Sequence, residues 1–422
     1  MSAHSNGKPR RAVITGIGPI TCIGVGRENF WRGILAEKSG VTLVSTFDTS
    51  TLNAHCAGTI PDWNPEQFFP PHRLKRLDRY AQFAVASAKL ALDDAGIEYS
   101  REHPQHRIGV SFGTALGGVA NAEDQHIRFL QKGTRGVNPT LALQVFGGSA
   151  HSNIAIEFGF RGVGTTNSNS CASGTVAVGE ALRYIRDDFA DVVVAGGAEA
   201  PVSPLTFGAF AIIKTMSTWT GAPELACRPF DLKRDGFVIG EGAASLVIEE
   251  LEHARARGAH IYAEVLGYSL NNDAFHMTTP LPTADSCIRA MRNALADADV
   301  AIEEIDYINA HASSTQLNDA AETFAIKEVF GEHAKKIAVS GTKAFTGHPL
   351  GATGAIEASI CALALEHQHI PPTLNRQHPD DACDLDVVPD KGRAAQLRVV
   401  MSNSFGFGGI NASIVLGSPP AA

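Results

Sequence analysis

Residues able to do chemistry cluster around a few short stretches. The first is Ser168-Asn169-Ser170-Cys171-Ala172-Ser173-Gly174. A short β-run at 163–166 precedes it, and residues 174–186 follow with Val176, Val178, Ala181, Leu182 and Ile185 on one apolar stripe. Cys171 is therefore expected where an extended segment turns into a helix. The first turn of a helix presents free N–H groups and the positive end of the macrodipole. Those features favour a thiolate over a thiol whose unperturbed pKa is about 8.5. The pattern points to a nucleophilic cysteine, or to a small buried thiol, since free Cys is among the most buried residue types.

Three further stretches place reactive groups just after expected strands. Residues 305–310 lead to His311, followed by Ala312-Ser313-Ser314-Thr315. Residues 337–340 lead to Lys343 and then His348. Residues 399–402 lead to Asn403-Ser404-Phe405-Gly406-Phe407-Gly408-Gly409. In open α/β sheets, sites gather at the carboxyl ends of strands. One such histidine is usually structural. Two, with a Lys and a Cys at a helix start, point to a convergent site.

The elements that position these groups alternate between strand and helix, which gives an α/β fold. Strands are expected at 11–17, 107–114 and 191–197, with a β-hairpin over 236–249 turning around Gly240 and Gly242. A second half begins near Ala259, with strands at 261–266, 305–310, 337–340, 398–402 and 412–416. Each half carries a helix rich in small residues near its middle, one after Cys171 and one over 350–365. The chain reads as a faint internal duplication, 1–258 and 259–422, forming one unit.

Composition bounds the reading. With 422 residues, 44% hydrophobic and 19% charged, the chain is long enough for one large core or two. A net charge of −9 argues against broad nucleic-acid affinity. Seven cysteines, odd in number and without a Cys-x-x-Cys, argue against a disulfide framework or zinc site and for a reducing compartment. Residues 1–10 form a polar, basic tail without the apolar core of a secretory signal. No apolar run approaches the ~20 residues of a membrane helix. Gly16-Ile17-Gly18-Pro19-Ile20-Thr21 lacks the third glycine of a dinucleotide fingerprint, and the loop at 113–118 lacks the Lys-Ser/Thr ending of a P-loop. His103/His106 and His367/His369 read as solvated surface histidines, so no metal is expected. The densest basic run, 73–79, opens an expected helix and is the best candidate for docking an acidic partner.

Five motifs taken together and in order resemble the β-ketoacyl-acyl-carrier-protein synthases, closest to synthase II. They are Ser170–Gly174; Arg228-Pro229-Phe230-Asp231 with Arg234-Asp235-Gly236-Phe237; Asn309-Ala310-His311; Gly341-Thr342-Lys343 through Gly347-His348; and Asn403–Gly409. The resemblance runs from about Ala12 to Leu416. It implies a thiolase-like, five-layered αβαβα fold of two related halves, a cytoplasmic homodimer, and no cofactor beyond the phosphopantetheine arm of the carrier protein. The implied reaction is a decarboxylating Claisen condensation of an acyl thioester with malonyl-acyl-carrier protein in fatty-acid elongation.

The same resemblance distributes roles. Cys171 takes the acyl group, and His311 and His348 stabilise the enolate left by loss of CO₂. Lys343 is the supporting lysine, with Glu357 its ion-pair partner. The backbone N–H groups of Cys171 and Phe405 form the oxyanion hole, and Phe405 gates the acyl pocket. Ser313 and Thr315 touch the pantetheine arm. Leu116, Phe210 and Leu141 border the acyl chain. Arg73, Lys75 and Arg76 dock the acidic carrier protein. Two departures stand out: Ala312 replaces the usual Gly after the first histidine, with a methyl expected to tighten the malonyl site, and Ala172 replaces the common Thr. The alternative readings are a ketosynthase of a type II polyketide or other specialised-metabolite pathway, a non-catalytic chain-length subunit, which lacks the nucleophile, and a degradative thiolase. A thiolase carries a second cysteine where this chain has Phe405 and Phe407.

Overall fold

The computed structural model describes residues 9–421, so most of the polar tail lies outside the described residues. Nine strands of four to ten residues and one of three make up most of the central sheet, nearly all from apolar segments rich in β-branched residues that suit a surface buried on both faces. Besides a two-residue strand at Gly24–Val25 that pairs with the first, they are β1 (Ala12–Thr21), β2 (Ile108–Gly113), β3 (Gly164–Asn167), β4 (Val192–Glu199), β5 (Gly242–Glu250), β6 (Ala263–Asn272), β7 (Ile305–Asn309), β8 (Ala338–Ser340), β9 (Val399–Gly406) and β10 (Ile410–Gly417). Their spatial order is β8-β7-β9-β10-β6-β1-β5-β4-β2-β3.

That order carries the duplication. From the outer edge inward, β3-β2-β4-β5-β1 pair parallel, parallel, antiparallel, antiparallel. From the other edge, β8-β7-β9-β10-β6 pair in the same sequence of senses. The halves meet where β1 runs antiparallel to β6, with Val13 opposite Glu264.

Seven helices matter for the site: α1 (Arg79–Ala95), α2 (Val119–Lys132), α3 (Ser173–Arg186), α4 (Pro204–Ile212), α5 (Asp285–Ala298), α6 (Gln316–Phe330) and α7 (Thr353–His367). The corresponding helices of the two halves, α3 and α7, pack on each other within the largest apolar cluster. Residues 353–365 of α7 are buried on every side, which a helix tolerates only when it is apolar or small all round. Its Gly, Ala and Ser content lets the backbones approach closely: a Cβ at Gly354 would stand 2.4 Å from Thr175 N on α3.

Two expected elements differ. The stretch 236–249 is not a hairpin. Ile239–Gly240 pairs in parallel with Cys56–Gly58 in a small separate sheet, while β5 joins the central one. The intervening chain is pinned from both sides, Gly240 N–H donating to the His348 carbonyl and Glu241 N–H to Gly58. The basic run is also broken: a single turn at Pro71–Leu74 ends before Asp78, whose side chain accepts from Ala81 N–H and starts α1 afresh. All seven cysteines are free. Among the described residues, no group of His, Cys, Asp and Glu is arranged to hold a metal ion, and no helix is long and apolar enough to cross a membrane.

Candidate active site

The strand β3 delivers the chain to a tight 3₁₀ turn, Ser170–Ala172, and α3 begins at Ser173. Ser170 sits at φ +52°, a left-handed conformation that costs a non-glycine residue of order 1 kcal/mol or more. Ser173 holds the turn, its hydroxyl donating to the carbonyls of Ser170 at 2.7 Å and Thr114 at 3.1 Å. Cys171 is thereby set at the N-terminal end of a 14-residue helix, 6% exposed.

Burial pushes the Cys171 thiol above its ordinary value. The Ser170 hydroxyl, the Phe407 backbone N–H and the charge of Lys343 pull it down, and Glu199 pushes it up. Burial is the largest of these influences, so the net direction is upward, opposite to the lowering expected from the helix terminus.

Three strand ends of the second half converge on it. Cys171, His311, His348, Phe405 and Phe407 line one cavity of about 350 Å³. The His311 and His348 rings stand edge to face with centroids 5.4 Å apart. His311 is 2% exposed and His348 3%. Burial holds both imidazoles well below the ordinary histidine value, reinforced by the charge of Lys343 and, for His311, by His348. Both are therefore neutral at physiological pH. His348 Nδ1 lies 2.8 Å from the Thr353 hydroxyl. With that hydroxyl as donor, the ring proton sits on Nε2. His311 Nδ1 is buried without a partner, so that nitrogen is free of the fold's hydrogen-bond network.

Lys343 is fully buried and lies 2.6 Å from Glu357 Oε1. Its ammonium also donates to the His311 carbonyl, which ties the first histidine to the helix that bears Glu357. Burial pushes Glu357 up to about 7 against the pull of Lys343. Ser313 and Thr315 line the mouth of the cavity, their hydroxyls 2.9 Å apart, and Thr315 caps α6.

The two phenylalanines are placed differently, and the position expected of Phe405 is nearer to that of Phe407. Phe405 lies within β9, paired with Asn411, and its ring faces His311 at 6.3 Å. Phe407 lies beyond the strand end, in the turn between β9 and β10. Its backbone N–H reaches the Cys171 sulfur, and its ring packs edge-on to Phe237 at 6.4 Å. The backbone N–H that lowers the sulfur's pKa is thus that of Phe407 rather than Phe405. Gly406 makes this possible: a Cβ there would stand 3.1 Å from the Cys171 nitrogen.

Leu116 and Phe210 pack on the cluster that contains Cys171 but do not line its cavity; the Phe210 ring meets Phe237 edge-on at 5.9 Å. Leu141 is apart from them, in a separate groove beside α2 with Phe129 and Val137. Arg73 is not free to dock a partner: it lies 2.8 Å from Glu157 with its side chain 12% exposed. Lys75 and Arg76 are exposed. The methyl of Ala312 does not tighten the cavity. Ala312 sits at φ +39° with its side chain turned into the core against Gly341.

Sequence reading missed Glu322. Its carboxylate accepts from the N–H groups of His311 at 2.9 Å and Ala312 at 2.8 Å, which fixes the turn after β7. Burial pushes it up to about 7. A signal existed: Asp319, Glu322, Thr323 and Ile326 share one face of α6, putting two carboxylates on the side that must be buried.

Comparison with known proteins agrees with this arrangement. Residues 10–254 match the model of the beta-ketoacyl synthase N-terminal domain, and residues 262–377 that of its C-terminal domain. The chain is 42% identical over 407 residues to 3-oxoacyl-[acyl-carrier-protein] synthase 2 of Coxiella burnetii, covering 96% of this chain and 98% of that one. Among solved structures, a type II polyketide-synthase ketosynthase in complex with its acyl-carrier protein superposes with a TM-score of 0.91 at 35% identity, covering 98% of this chain and all of that one. The ishigamide ketosynthase/chain length factor does so with a TM-score of 0.91 at 38% identity and the same coverage.

Proposed function

The chain belongs to the β-ketoacyl synthase family, and from that premise we propose how its own residues carry the reaction. It is a thiolase-like acyltransferase, a 3-oxoacyl-[acyl-carrier-protein] synthase that elongates fatty-acyl chains by decarboxylative condensation with malonyl-acyl-carrier protein. The observation that supports the residue assignment best is the single cavity shared by Cys171 from the first half and His311 and His348 from the second.

In the first stage, Cys171 Sγ attacks the carbonyl carbon of an acyl thioester. The new S–C bond forms, the carbonyl oxygen takes up negative charge, and the arm's thiol leaves with the proton. The N–H groups of Cys171 and Phe407 are placed to hold that oxyanion. In the second stage, the bond from the malonyl carbon to its carboxylate breaks and CO₂ departs. The electron pair moves into an enolate whose oxygen takes N–H donation from His311 and His348. The enolate carbon attacks the acyl group, and Cys171 leaves as thiolate. Neutral imidazoles can serve the second stage, since each still carries one N–H to donate to the enolate oxygen. Lys343, paired with Glu357, and Glu322 fix the turn that bears His311.

Ser313 and Thr315 are the residues we assign to the phosphopantetheine arm, and Lys75 and Arg76 to the acidic carrier protein. We propose Leu116 and Phe210 as the acyl-pocket wall behind Phe407. We also propose a homodimer: β3 is an open strand edge, and Phe146 and Ile156 beside it are large apolar side chains left exposed. The halves 1–258 and 259–422 act as one catalytic unit. Seven free cysteines fit a cytoplasmic setting.

A second reading, condensation in a specialised-metabolite pathway, is favoured by the polyketide and ishigamide neighbours. The two are separated by incubating the enzyme with malonyl-carrier protein and acyl-carrier proteins of increasing length. A single reduced-chain extension across medium and long acyl groups supports fatty-acid elongation. Repeated unreduced extension of a short starter supports the other.

A further inference from the structure

Among the buried carboxylates that the catalytic account leaves unused, one lies against the site. Glu199, the last residue of β4, is fully buried, yet no cation lies within ion-pairing distance among the described residues. Its two oxygens take four donors. Oε1 accepts from the Thr114 hydroxyl at 3.0 Å and Leu116 N–H at 3.1 Å. Oε2 accepts from Ala115 N–H at 2.6 Å and Gly351 N–H at 3.0 Å. All four partners are placed to donate, which favours the carboxylate, while burial pushes the group up to about 7.

These donors come from two places that otherwise belong to different half-reactions. Residues 114–117 form the loop that presents Leu116 behind the gate. Gly351 lies in the turn that follows His348. The two are in direct contact: a Cβ at Gly351 would stand 2.4 Å from Ala115 N. The turn is also strained. Leu350 sits at φ +36°, although its side chain is buried and lines the cavity with Cys171. Such a conformation persists only where its surroundings over-determine it. The bond from Gly351 to Glu199 is one such restraint, at the very next residue.

We infer that Glu199 is a positioning residue that clamps the acyl-pocket loop to the His348 turn, so that one carboxylate sets both acyl-chain acceptance and decarboxylation geometry. The inference rests on the condensing activity proposed above. Thr114 extends the clamp, since its hydroxyl donates to Glu199 while accepting from Gly117 N–H at 2.9 Å. The loop is tied in turn to the nucleophile, because the Thr114 carbonyl accepts from Ser173.

The test measures the half-reactions separately: acyl transfer to Cys171 from carrier thioesters of increasing length, and CO₂ release from malonyl-carrier protein. Glu199→Gln places an amide donor against two of the four N–H and O–H groups. It is expected to slow both half-reactions about tenfold, the cost of one lost charge-assisted bond near the reacting atoms, with the loss in acyl transfer growing with chain length. Thr114→Val removes one donor on the acyl side and leaves the Gly351 bond intact. It is expected to change the chain-length profile while CO₂ release stays within about twofold of the wild type. Glu199→Gln with both half-reactions unchanged would overturn the inference. If that variant does not fold, Thr114→Val decides: an unaltered chain-length profile overturns the clamp, and an altered one with normal CO₂ release supports it. A wild-type enzyme inactive in both half-reactions would instead remove the proposed condensing activity.

Discussion

The imidazoles of His311 and His348 meet edge to face, 5.4 Å between centroids and 80° between planes, though 37 residues separate them in the chain. Each arrives from a different strand end, and each is held by a different partner, Glu322 at the backbone of one and Thr353 at the ring of the other. The two rings line the same cavity as Cys171.

Both rings are expected to stay neutral where an exposed histidine is half protonated. Nitrogen NMR of labelled imidazoles at pH 6 should show neutral rings for these two positions. Ring titration near the ordinary value of about 6.5 would contradict the burial argument. The linkage has a sign. With folded values depressed, the unfolded chain binds more protons below about pH 6.5, so these two groups make stability fall as pH falls through that value. Removing either ring as His311→Ala or His348→Ala should leave acylation of Cys171 but abolish CO₂ release.

Lys343→Met removes the cation beside Glu357 and leaves that carboxyl buried. Breaking such a pair costs about 3–5 kcal/mol, whereas replacing both partners by apolar groups is far milder. Thermal unfolding of Lys343→Met and of the double variant Lys343→Met/Glu357→Leu should rank them in that order. The single variant should also move both imidazoles up toward the ordinary range, because Lys343 helps to hold them down. Equal stability of the two variants would contradict the ion-pair account.

Phe407→Ala keeps the backbone N–H at the sulfur but removes the ring between Cys171 and the wall formed by Phe210. Acylation by short chains should persist, and discrimination among acyl groups should weaken. Phe405→Ala should instead slow CO₂ release, since that ring faces His311. Steady-state rates over a panel of acyl thioesters separate the two. A gating defect confined to Phe405→Ala would restore the role that sequence reading gave it.

The basic stretch divides the same way. Lys75→Ala and Arg76→Ala should weaken carrier-protein affinity and reduce its salt dependence, because both charges are exposed. Arg73→Ala should lower thermal stability by leaving Glu157 half-buried and unpaired, with little change in salt dependence. Titration calorimetry at two ionic strengths checks both.

What was legible in the chain was local. Cys171 could be placed at a strand-to-helix junction because small residues and an apolar stripe flank it. The duplication could be heard in the rhythm of strands and central helices, and the sheet order repeats it. What failed depended on where elements stop or on distant partners. Phe405 and Phe407 stand in the same alternation between glycines, and nothing local says that β9 ends at Gly406 between them. Arg73 looked like surface until Glu157, 84 residues on, was folded against it. Residues 236–249 looked like a hairpin because the His348 and Gly58 backbones that pin their middle are far away in sequence. Glu199 gave no signal at all, since an acidic residue ending a buried strand is explained only by the four donors that tertiary structure brings to it.

The central claim is that Cys171 carries the acyl group at the meeting point of both halves. Intact-protein mass spectrometry after incubation with an acyl-carrier thioester, followed by peptide mapping, tests it directly. The account predicts a mass gain of one acyl group on the peptide containing Cys171, discharged on addition of malonyl-carrier protein with release of the 3-oxoacyl product, and no gain in Cys171→Ala. Chain extension by Cys171→Ala, or an acyl group mapped to any other residue, would contradict it.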